Sequence, residues 1–187
     1  KAWHLLAVIP FGSALAAISI AVNPYQLTRL RTFLGIEANP LDSEYQSQQA
    51  LLALGSGGIS GKGLGLGTVK YSYLPAAETD SVFAVIGEEF GLFGTGLILL
   101  MFLVILARGL WIAALAPDRF GRCLAAGIAF QISVQAFINM GVVVGLYPVT
   151  GIPLPFVSSG GTSLLVSLVM MGILINIARS ARLHQTS

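Results

Sequence analysis

Hydrophobic residues dominate four stretches of the chain, at about 4–22, 82–107, 124–146 and 162–178. Each is long enough to cross a bilayer as a helix of ~20 residues, so the pattern predicts an all-α integral membrane protein with about four spans. The first run continues from Leu5 to Val22 without an A-x-A cleavage site and without an initiating Met, so it reads as a spanning helix of a chain that begins mid-protein rather than as a signal peptide. Pro10 should kink it, and Ser13, Ala16 and Ala17 give it a small-residue face. At the outer end of the second run, Gly87 and Gly91 flank Glu88 and Glu89, placing a small-residue packing face beside two acids. In the third run Gln131, Gln135 and Asn139 recur every four residues, one polar stripe that either hydrogen-bonds to neighbouring helices or lines a path.

One long polar stretch, 23–80, separates the first two spans and forms the main extramembrane loop. NPYQLTRLRTFLG has apolar residues at roughly helical spacing with Arg29 and Arg31 able to reach outward, which suits a short helix on the membrane surface, or a loop whose arginines contact lipid phosphates. Ser43 and Gln46 make a capping box for a helix expected to run to Leu54 and stop at Gly55. GSGGISGKGLGLG, residues 55–67, closes neither a Walker A loop nor a G-x-G-x-x-G register. Its composition favours a flexible linker, with Lys62 inside it and Lys70 soon after able to approach an anion. The connection YPVTGIPLPFVSSGGTS combines three prolines with Gly160 and Gly161 before the last span, predicting an extended, re-entrant loop. Ser158, Ser159, Gly160 and Gly161 there are candidates both for helix capping and for anion binding.

Composition agrees with the spans, because 55% of the 187 residues are hydrophobic and only 10% are charged, against about 25% charged in soluble domains. A formal charge of +2 is too small to imply nucleic acid as a partner, and the single Cys123 excludes an internal disulfide framework and reads as a buried structural thiol. Lys1, Arg108, Arg119, Arg122, Arg179 and Arg182 fall on one side with Asp118. The other side holds Arg29, Arg31, Lys62 and Lys70 with Glu37, Asp42, Glu44, Glu78, Asp80, Glu88 and Glu89. The short basic turn around Asp118 and both chain ends therefore belong in the cytoplasm, and the long loop outside. An enzyme using cytoplasmic soluble cofactors is disfavoured by that orientation, and a lipid-borne substrate or a transported solute is favoured.

Candidate chemistry concentrates in YSYLPAAETDSVFAVIGEEFG, where Glu78 and Asp80 stand at the entry to the second span and Glu88 and Glu89 follow within about three turns. Carboxylates at a membrane boundary need water, a cation or substrate to offset their desolvation. Asp80 and Thr79 also fit a helix N-cap, which the residues alone favour, and a cap and a reactive group are compatible roles.

GGISGKGLGLG, YLPAAETDSVFAVIGEEFG and NMGVVVGLYPVTGIPLPFVSSGGTSLL, in that order and spacing, resemble the SEDS glycosyltransferases, whose members include FtsW, RodA and SpoVE, with the division type slightly closer. The resemblance covers essentially the whole chain, and implies that it corresponds to the last four of ten spans in one polytopic domain. It further implies polymerisation of lipid II into glycan strands on the extracytoplasmic face of a bacterial-type cytoplasmic membrane, in cell division or cell-shape maintenance. Asp80 matches the Asp of the family's LPE-x-x-TD-F motif and would be the catalytic base. Lys62, Lys70, Arg29, Glu78, Ser158, Ser159, Gly160 and Gly161 are the substrate-binding candidates, and Asp80 with Glu88 the ligands of an implied Mg²⁺ or Mn²⁺. The implied partners are a class B penicillin-binding transpeptidase and other division or elongation proteins. The chain departs from the motifs at Ala76, Ser81 and Ser159, where the family has Glu, Phe and Tyr. Because six spans would be missing, this chain alone is expected to be inactive. A lipid-linked precursor flippase and a non-catalytic scaffold are the other readings.

Overall fold

The computed structural model describes residues 10–11, 14–15, 18–19, 22–33, 43–67 and 81–185. The chain divides into two compact units, Lys1–Tyr45 and Gln46–Ser187. In the first, α1 spans Pro24–Phe33, in agreement with the helical spacing of its apolar residues. Pro24 opens it, where a missing amide costs nothing, and Thr28 Oγ1 donates to the Pro24 carbonyl at 2.9 Å. The expected span at 4–22 lies largely outside the described residues.

Four helices lead into or build the second unit: α2, Ser43–Gly57; α3, Val82–Leu115; α4, Arg119–Val143; and α5, Gly161–Gln185. Three of them are long and apolar enough to cross a membrane, over Val82–Leu115, Arg119–Val143 and Gly161–Ala181. The protein is thus a multi-pass, all-helical membrane protein among its described residues.

Several boundaries differ from those expected. The α2 helix continues past Gly55 to Gly57, because nothing crowds Gly55 whereas Gly57 presses on the Gly87 backbone. Rather than ending near Ala107, α3 reaches Leu115, and the stop comes from Pro117, which forces Ala116 to an extended ψ of 133°. Asp118 then starts α4, its Oδ2 accepting the Gly121 N–H at 2.7 Å. The last helix also outruns its expected end near Ile177, since the polar residues after it are good helix formers that leave the bilayer without breaking the helix. Cys123 is exposed rather than buried, because the face of α4 turned inward carries Gly121, Ala125 and Ile128 instead.

The α3–α4 seam is built from small residues. A Cβ on Gly109 would fall on the Ala129 side chain, and Ala125, Ala129 and Ala136 are fully buried around Ile132. Where lipid offers no hydrophobic penalty to separation, such close backbone approach supplies the dispersion contacts that hold spans together. Most large apolar side chains on α3 and α5, such as Leu97, Leu103, Leu165 and Leu168, are exposed, as lipid-facing or partner-facing positions are.

The polar stripe on α4 has a specific task. Gln135 Nε2 donates to the Pro153 carbonyl at 3.0 Å and Asn139 Nδ2 to the Ile152 carbonyl at 2.8 Å, so two stripe residues tie down the proline-rich connection. Gln131 is exposed. Within that connection Leu154 is buried, and Phe156 is held at φ 65°, a conformation a bulky residue adopts only when its surroundings dictate it.

Candidate functional site

In an unbroken helix the Leu92 amide would donate to the carbonyl of Glu88, and the next amide to that of Glu89. Gly91, at φ 64° and ψ −153°, interrupts α3 at that point. The glycine-rich segment after α2 makes up the loss. Leu92 N–H donates to the Gly58 carbonyl at 3.0 Å, while Lys62 N–H donates to the Glu88 carbonyl at 2.9 Å and Gly63 N–H to that of Glu89 at 3.0 Å. The Leu92 amide and the Glu88 and Glu89 carbonyls, freed by the break, therefore find partners in the loop, as a membrane-embedded helix interruption requires.

Only residues without side chains permit this contact. A Cβ on Gly61 would collide with the Glu89 carbonyl, and a Cβ on Gly91 would come within 2.6 Å of the Ile59 oxygen. The run read as a flexible linker is accordingly an ordered clasp, fitted into a helix break.

A buried ion pair completes it. Lys62 Nζ donates to Glu88 Oε1 at 2.7 Å; the glutamate is 0% exposed and the lysine side chain 36%. Gly67 is buried against the same carboxylate, where a Cβ would lie 2.9 Å from Oε2. Glu89 is 8% exposed, and its Oε1 has no hydrogen-bond partner among the described residues. Sequence reading missed the break and the pairing; the one signal was the proximity of two glycine-flanked acids to a glycine-rich run bearing a lysine.

Lys62→Met removes the charge that compensates a fully buried carboxylate. It is expected to lower stability by about 2–3 kcal/mol, below the full penalty for a buried pair because the lysine end is partly solvated. The double change Lys62→Met with Glu88→Gln should recover part of that loss. Thermal unfolding of the detergent-solubilised protein measures both.

The remaining candidates are distributed as follows. Asp80, Glu78 and Lys70 lie outside the described residues. The α3 N-cap is Ser81, one residue after Asp80 and two after Thr79, and it makes no side-chain cap bond. Arg29 is partly buried on α1, in the first unit. Ser158 is buried and its Oγ accepts the Leu154 N–H at 2.8 Å, which is a structural task within the loop. Ser159 and Gly161 are exposed at the start of α5, and the Gly160 carbonyl accepts the Leu164 N–H at 2.9 Å.

Among known proteins, the family model described as "Cell cycle protein", FtsW/RodA/SpoVE, matches residues 1–183. The chain belongs to the FtsW/RodA/SpoVE family. It is 48% identical over 159 residues to Stage V sporulation protein E of Bacillus subtilis, covering 85% of this chain and 43% of that protein. To a probable peptidoglycan glycosyltransferase FtsW of Geobacter sp. it is 46% identical over 163 residues, covering 87% and 44%. To the protein of that name in Mycobacterium tuberculosis it is 45% identical over 174 residues, covering 93% and 33%. A chain from a solved peptidoglycan synthase complex superposes with a TM-score of 0.69 at 30% identity, over 96% of this chain and 50% of that one. The chain thus spans half or less of the length of these relatives.

Proposed function

We propose that the full-length protein is a peptidoglycan glycosyltransferase that polymerises lipid II outside the cytoplasmic membrane. The observation that carries the reading is the 46% identity to a relative named for that activity. The clasp gives it a physical basis. Gly67 is pressed on the Glu88 carboxylate, and α3 begins at Val82. Asp80 stands two residues before that start.

In the proposed reaction Asp80 accepts the proton of the acceptor sugar hydroxyl as its oxygen bonds to the anomeric carbon. The bond from that carbon to undecaprenyl pyrophosphate breaks, and the pyrophosphate leaves with the electron pair. A single displacement inverts the anomeric centre. Lys70 is assigned to the leaving pyrophosphate, joined by Lys62, whose ammonium has three donors, one of them engaged by Glu88.

Glu88 is fully buried and paired with Lys62, so a divalent cation held by Asp80 and Glu88 would have to share that carboxylate with the lysine ammonium. No step above runs through a metal.

Docking of a transpeptidase's spanning helix is assigned to the exposed apolar faces of α3 and α4, which include Leu100, Leu103 and Phe130. The flippase reading loses support because Gln135 and Asn139 hold a loop. The test is glycan-strand formation from purified lipid II by the full-length protein with its partner transpeptidase in liposomes, with and without Mg²⁺ or Mn²⁺. Strands are expected. Transfer of lipid II between leaflets without strand growth would establish the flippase reading instead.

A further inference from the structure

At the opposite end of the spans from the clasp, a cavity of about 480 Å³ opens between α3 and α5. Ile105, Ile112, Met171, Leu174 and Ile175 supply apolar walls, and Arg108 and Arg179 stand at its rim. The depth of the two arginines follows from the sequence. The uncharged stretches 90–107 on α3 and 161–178 on α5 each rise about 27 Å, close to the hydrocarbon thickness of a bilayer. Both guanidinium groups therefore reach the same headgroup layer. Trp111, exposed and lying under Arg108 with 4.9 Å from the guanidinium carbon to its ring centroid, belongs at that level too.

Neither arginine has an ion-pair partner among the described residues. Asp118, the nearest acid in sequence to Arg108, has its Oδ2 on the Gly121 amide. Two uncompensated cations above an apolar trough call for an anionic, chain-bearing occupant. The trough is too small for a spanning helix, which at 10–12 Å across fills on the order of 500 Å³ in each turn. We infer that this groove binds an anionic phospholipid of the leaflet opposite the clasp, its phosphate between Arg108 and Arg179 and one acyl chain against Leu174 and Ile175.

Native mass spectrometry of the full-length protein, titrated with phosphatidylglycerol or with phosphatidylcholine of the same acyl chains, tests this. Phosphatidylglycerol is expected to be retained selectively. Arg108→Gln and Arg179→Gln should each weaken retention about fivefold and the pair about 25-fold. Replacing both arginines by Lys should keep most of the selectivity, and Ala178→Phe, which fills the trough and leaves the charges, should lose it. Equal binding of the two lipids, or unchanged phosphatidylglycerol binding in the double Gln variant, overturns the inference. So does a disulfide between Ile175→Cys and a cysteine placed in another span of the full-length protein, since the groove would then be filled by protein.

Discussion

Asp80→Asn in the full-length protein is expected to reduce glycan-strand formation from lipid II by at least about 100-fold, in line with the 10²–10⁴ contributed by a general base. The amide keeps the size, the hydrogen-bonding reach and the N-cap competence of the carboxylate and removes only its ability to take a proton. Asn caps a helix as well as Asp does, so a loss of activity in this variant would not be a capping defect. Binding to the partner transpeptidase and the thermal unfolding midpoint should both stay within error of the wild type. Strand formation at the wild-type rate would remove Asp80 from the chemistry and favour the scaffold and flippase readings.

Gly91→Ala should be among the most damaging single-methyl changes in the described part of the chain, with a loss of about 4 kcal/mol. Two costs combine. At φ 64° and ψ −153° the residue occupies a region essentially restricted to glycine, worth about 1–3 kcal/mol for any other residue. The new Cβ would also meet the backbone of Ile59 and Gly61, which cannot rotate away as a side chain can, so the clasp must lift. Lifting it breaks the three loop-to-helix hydrogen bonds, each contributing about 0.5–1.5 kcal/mol. Gly96→Ala, five residues along the same helix with nothing within 4 Å of its Cβ, is the control, and it should be neutral or slightly stabilising. Thermal unfolding of the full-length protein in detergent compares the two, and equal midpoints would show that the break does not depend on Gly91. Because the clasp holds Lys62, assigned above to the leaving pyrophosphate, Gly91→Ala is also expected to lower polymerisation even at temperatures where the protein stays folded.

The three later spans and the helix at Pro24–Phe33 were legible in the chain because they depend on local properties. Runs of apolar residues about 20 long, and the helical spacing within NPYQLTRLRTF, announce themselves without reference to distant residues. Helix ends were less legible. Gly55 resembles a stop but has room to continue as helix, while the effective stop for α3, Pro117, stood ten residues beyond the last position read as apolar span. The fate of Cys123 was illegible for a similar reason, since an apolar neighbourhood in a membrane helix marks lipid-facing and protein-facing sides alike.

By itself, the sequence determined that this is a multi-pass helical membrane protein of the FtsW/RodA/SpoVE family. It determined those things through patterns that lie within one helix or one motif. Only the tertiary structure decided that the glycine-rich run is a clasp, that α3 is broken at Gly91, that Lys62 neutralises Glu88, and that Gln135 and Asn139 hold the proline-rich loop. In each of those cases the partners lie far apart along the chain. A backbone group or a charge excluded from water must find its complement wherever the fold brings one, and composition cannot say where that will be.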